Sequence, residues 1–297
     1  MSMVDANPAR FWSAAKLTGG ELALRVCSAL VLAPFALGIA YLGGWTFVVF
    51  WLVAAMVVLW EWTALVAGRD QRPILIAGGA SVLLAIALAG SAGNAAEGIH
   101  TVRLLAAMTV LVMGMLGVAA LTTRAQRAWV AGGIPYAGAI GIAAIVLRSD
   151  AALGFLAIIL LFSIVWATDI FAYFTGRAIG GRKLAPRFSP KKTWSGAIGG
   201  VVAAVIVAIA IARMAGLSGL LPIAAIAVLL SIAAQAGDLL ESALKRRFGA
   251  KDSSRLIPGH GGLMDRLDGF AAAAVLGALI GLARGGLEAP ARGLLMW

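Results

Sequence analysis

The chain has 297 residues, 62% of them hydrophobic and only 12% charged, and its net charge is +11 at pH 7. Because so few polar residues cannot cover a soluble globule, this composition excludes a water-soluble domain and indicates a chain that lies in lipid. Excess Lys and Arg are typical of the cytoplasmic loops of membrane proteins, so we expect membrane lipids, and no nucleic acid, as partners. Cys27 is the only cysteine, which excludes an internal disulfide and a cysteine-based metal cluster.

Apolar runs follow one another along the chain and are long enough to cross a bilayer, whose ~30 Å hydrocarbon core requires roughly 20 apolar residues per helix. The runs are continuous rather than alternating, so they predict helices and not the strands of a barrel. The predicted fold is therefore all-α, a polytopic integral membrane protein with about nine transmembrane helices. The predicted spans are 22–42, 45–67, 73–91, 103–121, 129–147, 151–175, 195–216, 219–241 and 267–284.

The order of these spans predicts three regions. They are a cytoplasmic N-terminal segment at 1–20, a group of transmembrane helices at 21–150 and a catalytic transmembrane region at 151–297, and we expect the first span to be an uncleaved anchor. With the N-terminus in the cytoplasm, 19 of the 24 Lys and Arg residues fall on the cytoplasmic side. This asymmetry predicts a multi-pass protein of the inner (cytoplasmic) membrane.

Acidic residues within or beside the spans are informative, because a carboxylate at the centre of a bilayer costs roughly 2.5–3.5 kcal/mol on insertion scales. Glu61 lies between two tryptophans and is interpreted as a structural or interfacial residue. Asp169 belongs either to a helix–helix hydrogen bond or to a site, and the sequence leaves both open. Four polar residues at i, i+3, i+4 and i+7 share one helix face that leads out of the eighth span: Asp238, Glu241, Ser242 and Lys245.

A polar block follows at 242–268, with three acidic residues, six cations and His260 beside a Gly-Gly pair. Asp265 and Asp268 form a second carboxylate face at the start of the last span. Two acidic helix ends that meet could hold Mg²⁺, which binds through one or two carboxylates together with substrate phosphates and waters. His260 is interpreted as a group that positions a substrate rather than as a metal ligand.

The second polar segment, 176–194, supplies the opposite charge, with six Lys and Arg among its nineteen residues. Its stretch Ser189-Pro190-Lys191-Lys192-Thr193 concentrates two ammonium groups and two hydroxyls at a turn just before a helix. Because the first N–H groups of a helix also attract anions, this stretch predicts a phosphate-binding site. The sequence lacks GxxxxGK[ST], which excludes a P-loop nucleotidase.

The polar block resembles the signature of the bacterial phosphatidate cytidylyltransferases, also called CDP-diacylglycerol synthases. The matching positions are Ser242, Leu244, Lys245, Arg246, Lys251, Asp252, Ser254, Ile257, Pro258, His260, Gly261, Gly262, Leu263, Asp265, Arg266, Leu267 and Asp268. The segments Asp169-x-x-Ala172-Tyr173 and Ser189–Trp194 also look like motifs of that family. The chain departs from the family pattern at Ser195, where the family usually has Glu.

The resemblance implies an enzyme that converts CTP and phosphatidic acid into CDP-diacylglycerol and pyrophosphate, with Mg²⁺ alone or with a second metal ion that could be monovalent. It also implies a homodimer with a cytoplasm-facing polar cavity open to the bilayer. The implied catalytic residues are Asp238, Asp265, Lys192, Lys245 and His260. The implied metal ligands are Asp238, Asp265 and Asp268. The implied substrate-binding residues are Ser189, Lys191, Lys192, Thr193, Lys245, Arg246, Arg266 and Asp169.

The sequence offers three alternatives to the function that this resemblance implies. A CDP-alcohol phosphatidyltransferase requires DGxxAR…GxxxDxxxD, and Asp268-Gly269-Phe270 begins like this motif without its Arg and its later carboxylates. A transporter would be expected to show inverted repeats and broken helices at the midplane. A CTP-dependent kinase of a lipid or isoprenoid alcohol would share the architecture and the nucleotide, and the sequence leaves it open.

Overall fold

The computed structural model describes residues 19–67, 72–91, 99–257 and 261–297. Within these ranges the chain forms a bundle of helices with one two-stranded hairpin. The helices are α1 (Gly19–Leu42), α2 (Gly44–Ala67), α3 (Arg72–Gly90), α4 (Ile99–Leu121), α5 (Arg127–Arg148), α6 (Gly154–Ile179), α7 (Trp194–Met214), α8 (Leu220–Arg247), α9 (Met264–Gly285) and α10 (Pro290–Leu295). The strands are β1 (Lys183–Ala185) and β2 (Ser189–Thr193).

The prediction of a polytopic all-α membrane protein is confirmed. Eight of the described helices, α2 to α9, are long and apolar enough to cross a membrane. The first predicted span falls on α1, which has 24 residues and whose segment Leu30–Leu42 is apolar. The predicted N-terminal segment 1–20 falls almost entirely outside the described residues.

Several helices extend beyond the predicted spans, and the extensions of α8 and α9 carry charged residues. α8 continues to Arg247, six residues past the predicted end at 241, and α9 begins at Met264 instead of 267. The hydrophobic run predicts only the part of a helix that faces lipid or apolar side chains. The polar turns remain helical because their charged side chains have partners on neighbouring elements, as Lys245 of α8 has in Asp265 of α9.

The segment predicted as a phosphate-binding turn is instead the second strand of a hairpin. β2 pairs antiparallel with β1, with Lys183 opposite Thr193 and Ala185 opposite Ser189. The chain enters the hairpin through Gly180 and Gly181, whose positive φ angles of 66° and 96° favour glycine. At the other end, the Thr193 hydroxyl accepts a hydrogen bond from the Gly196 N–H at 3.1 Å and caps α7. The prediction that a helix begins just after 193 is therefore confirmed.

The core lies between α2, α5, α6, α8 and α9, and small residues let these helices approach closely. In its centre the fully buried Trp51 stacks on Phe270 of α9, with ring centroids 4.8 Å apart. α4 instead presents large apolar side chains outward: Val102, Leu105 and Met113 are each more than 60% exposed. Exposed apolar side chains along a long apolar helix are expected where a helix faces lipid.

The contact between α8 and α9 depends on Gly237. A Cβ atom at this position would lie 2.5 Å from the backbone oxygen of Asp268, whereas one at Gly117 of α4 would meet nothing within 4 Å. We expect Gly237→Ala to lower the unfolding temperature in detergent, because overpacking costs typically 1–3 kcal/mol. The control Gly117→Ala should be neutral or stabilising, since Ala favours a helix by roughly 1 kcal/mol over Gly. Equal stabilisation by both changes would contradict this packing.

Candidate active site

One end of the bundle holds a cavity of about 770 Å³ that is lined by side chains of both charges. The hairpin and α6 form one wall, and α8 and α9 form the other. The two polar segments of the sequence, far apart along the chain, thus meet at one place. The charged lining residues are Asp169, Arg177, Lys183, Lys191, Lys192, Asp238, Glu241, Lys245, Asp252, Asp265, Arg266 and Asp268.

Three carboxylates of the cavity lie close enough to share a cation. Asp238 and Glu241 of α8 and Asp268 of α9 each offer one oxygen, and these atoms lie within 4.8 Å of one another. Glu241 is buried, and its Oε1 has no hydrogen-bond partner among the described residues. Such an all-oxygen, all-carboxylate set fits a hard divalent cation such as Mg²⁺. The group contains Asp238 and Asp268, which the resemblance implies as metal ligands, and adds Glu241, while Asp265, the third implied ligand, lies outside it.

Asp265 lies in the same cavity but outside this group of three carboxylates. Its Oδ1 accepts from the Lys245 ammonium at 2.7 Å, and its Oδ2 accepts from the backbone N–H groups of Gly262 and Ser253 at 2.9 and 3.0 Å. Lys245 also pairs with Glu241 Oε2 at 2.6 Å. Asp265 thus fixes a lysine and the chain before α9, while Lys245 joins α8 to α9.

The hairpin contacts α8 through an ion pair between Lys192 and Asp238. Both side chains are partly exposed to the cavity, at 28% and 30%. The Ser242 hydroxyl also donates to Asp238, at 3.3 Å. This arrangement brings the predicted phosphate-binding lysine and the predicted metal-binding carboxylate together in the same cavity.

The structure places the other predicted residues as follows. Asp169, Lys191 and Arg266 line the cavity, and so does Thr193, although Thr193 is buried and caps α7. Ser189 does not line the cavity, and Arg246 lines a different one. His260 lies outside the described residues.

Ser195, the departure from the family pattern, lies at the base of the hairpin. Its hydroxyl donates to the Gly180 carbonyl and lies 3.0 Å from the Thr193 Oγ1 atom. It does not line the cavity. The side chain therefore ties the end of α6 to the start of α7.

Glu61 of α2 has a role that the sequence only outlined. This fully buried carboxylate accepts four hydrogen bonds from the segment that leads into α9 and from the first residue of that helix. The donors are the N–H groups of Leu263 and Met264, at 2.9 and 2.6 Å, and the hydroxyls of Ser253 and Ser254, at 3.2 and 2.6 Å. A carboxylate in an apolar helix has to be paired, so the sequence signals a partner for Glu61 without identifying it.

The fold and the cavity together define a multi-pass helical membrane protein with a polar cavity of mixed charge at one end of its bundle. The sequence pattern of the cytidylyltransferase family matches residues 23–282. The phosphatidate cytidylyltransferase of Brucella abortus biovar 1 (strain 9-941) is 42% identical over 262 residues, which cover 88% of this chain and 93% of the relative. That of Staphylococcus haemolyticus (strain JCSC1435) is 33% identical over 250 residues, or 83% and 94% of the two chains. The chain belongs to the cytidylyltransferase family.

A test of Glu61 follows from its four donors. Glu61→Ala leaves these donors buried without an acceptor, at about 1–3 kcal/mol for each group. We expect a lower unfolding temperature, faster amide exchange around Ser253 and Met264, and a loss of turnover, with Glu61→Gln intermediate. Glu288→Gln is the control, because Glu288 is exposed. Unchanged exchange in Glu61→Ala would show that Glu61 does not hold this segment.

Proposed function

We propose that this protein is a phosphatidate cytidylyltransferase, which joins CTP and phosphatidic acid to give CDP-diacylglycerol and pyrophosphate. The observation that carries the proposal is the 42% identity, over 88% of the chain, to a relative of that name. The cavity supports it, because both substrates and the pyrophosphate are polyanions and the hairpin wall carries Lys191 and Lys192. The cavity lies at one end of a membrane bundle. This position suits phosphatidic acid, which has acyl chains in the lipid and a phosphate headgroup in water.

In the proposed reaction a phosphate oxygen of phosphatidic acid attacks the α-phosphorus of CTP. One P–O bond forms, the bond to the β-phosphate oxygen breaks, and pyrophosphate leaves with the electron pair. The lipid phosphate is already ionised at neutral pH, so the protein needs no strong base. Its task is to hold the reacting groups in line and to neutralise their charge. Lys191, Lys192 and Arg266 would bind the phosphates.

We extend the proposal to Mg²⁺, with Asp238, Glu241 and Asp268 as its ligands. A bound divalent cation would neutralise phosphate oxygens and polarise the α-phosphoryl group. Asp265 would then act through Lys245, by keeping that ammonium beside Glu241 and the substrate phosphates. The Lys192–Asp238 ion pair would open when substrate binds, since the ammonium can exchange a carboxylate for a phosphate.

The proposal includes the placement of the protein in the bacterial inner membrane as a homodimer, with the cavity toward the cytoplasm. The cytoplasmic side is the one that supplies CTP, and the excess of Lys and Arg in the two polar segments supports it. The dimer rests on the resemblance to the family.

The direct experiment uses purified protein, Mg²⁺, phosphatidic acid and CTP labelled at the α-phosphate. We expect the label in a lipid-soluble product, with release of pyrophosphate that requires phosphatidic acid. Transfer of a γ-phosphate label to a lipid would instead favour the kinase alternative. Release of pyrophosphate without lipid would indicate a hydrolase.

Two carboxylate variants separate the proposed roles. Asp238→Asn removes a metal ligand, so we expect turnover to fall by about 100-fold or more and the Mg²⁺ requirement to shift to higher concentration. Asp265→Asn loosens Lys245 and should lower turnover while the Mg²⁺ requirement stays near that of the wild type. Steady-state assays over a Mg²⁺ titration give both values, with Glu288→Gln as control. An unchanged Mg²⁺ requirement in Asp238→Asn together with a shifted one in Asp265→Asn would reverse the assignment.

A further inference from the structure

A second cavity, of about 510 Å³, lies beside the active site and carries features that the proposed reaction does not use. It opens between the end of α2, the start of α5, the hairpin and the last turns of α8. We call it the aromatic cavity and define it by six of its lining residues: Trp62, Trp129, Phe188, Arg187, Arg246 and Arg247.

The walls of the aromatic cavity are held by contacts among its own side chains. The Trp62 indole N–H donates to the Trp129 carbonyl at 2.7 Å, and the Trp62 ring packs on Tyr136 with centroids 4.9 Å apart. The Arg247 guanidinium lies 4.9 Å from the centroid of the Trp129 ring. The rings are therefore fixed before any ligand binds, which lowers the entropic cost of binding.

The charge of the aromatic cavity is strongly positive. Arg187, Arg246 and Arg247 all line it and are exposed, and none of them forms an ion pair with a carboxylate in the described part of the chain. Arg246 donates to the Ala250 carbonyl and keeps further N–H donors. Glu241 is the acidic residue on this wall, and Lys245 compensates its charge. Three uncompensated guanidinium groups favour a phosphate, which Arg binds with paired N–H groups.

A buried hydroxyl supplies a further sign of a ligand. The Tyr136 hydroxyl has no hydrogen-bond partner within the described ranges, although it is shielded from solvent and its residue lines the aromatic cavity. Buried polar atoms are rarely left unpaired, so an orphaned hydroxyl on a residue that lines the aromatic cavity indicates an absent partner. A phosphate or ester oxygen would accept from it.

The surroundings favour a lipid over a soluble anion. Leu240, on the same wall, is 66% exposed, and the tryptophans and arginines are gathered at helix ends, as in the interfacial zone of a membrane. We propose that the aromatic cavity binds the phosphodiester headgroup of an anionic phospholipid that the reaction does not consume. The acyl chains would follow the apolar surface next to Leu240. Glu241 lines both cavities, so the bound headgroup lies against a residue of the carboxylate group.

The test compares lipids on the full-length protein in detergent, by native mass spectrometry and thermal unfolding. Phosphatidylglycerol should be retained and should raise the unfolding temperature more than phosphatidylcholine does. The double variant Arg187→Gln/Arg247→Gln should lower the apparent affinity for phosphatidylglycerol about tenfold or more, because it removes charge-assisted hydrogen bonds. Arg187→Lys/Arg247→Lys should restore part of the binding, and Tyr136→Phe should weaken it severalfold.

The matched control is Arg213→Gln/Arg292→Gln, which removes the same charge from α10 and from the end of α7 farthest from the hairpin. A control that loses as much binding as the test variant would overturn the proposal, and so would an equal response to both lipids. Inorganic phosphate forms a third arm: if it alone matches the effect of phosphatidylglycerol, the cavity takes a free anion and not a lipid. The experiment involves no turnover, so its failure is distinguishable from failure of the proposed enzymatic activity.

Discussion

The active site depends on a single buried ammonium group. Lys245 lies between Glu241 of its own helix and Asp265 of α9, and it joins two helix ends whose carboxylates would otherwise repel each other. In a membrane protein such repulsion is severe, because the low dielectric of the interior leaves buried charges unscreened. With this contact in place, Asp238 and Asp268 lie near Glu241. Lys192 then joins the hairpin to α8 through its ion pair with Asp238. The carboxylates can then lie close together, as cation binding would require, without forcing the helices apart.

A residue in the first half of the chain also stabilises this arrangement. Glu61 of α2 binds the segment that precedes α9, and the Asp265 carboxylate binds the same segment from within the cavity. The backbone around Ser253 is thus held on two sides by acidic groups. Gly262 lies close to both Glu61 and Asp265, and a Cβ atom there would collide with Ser253 and Glu61. The N-terminal helices are therefore part of the site's geometry, even though the cavity is lined mainly by the C-terminal half.

Helices and their polar faces could be predicted from the sequence, because hydrophobic runs and helical periodicity are local properties. Asp238, Glu241 and Lys245 were placed on one face correctly, and the convergence of the two polar segments followed from their charge. The hairpin was missed because the pairing of β1 with β2 depends on contacts across a turn in a short polar segment. Glu241 did not stand out in the sequence as a candidate ligand, because the geometry between α8 and α9 decides which carboxylates lie close together. The position of Arg246 on the second cavity could not be predicted for the same kind of reason, since several helices surround that turn of α8.

We propose that Asp238, Glu241 and Asp268 hold the divalent cation while Asp265 holds Lys245. Crystals of the protein grown with Mn²⁺ in place of Mg²⁺ would test it through anomalous scattering from the metal. We predict an anomalous peak among the oxygens of Asp238, Glu241 and Asp268, with the Lys245–Asp265 ion pair intact. A peak coordinated by Asp265, with Lys245 displaced, would contradict the account.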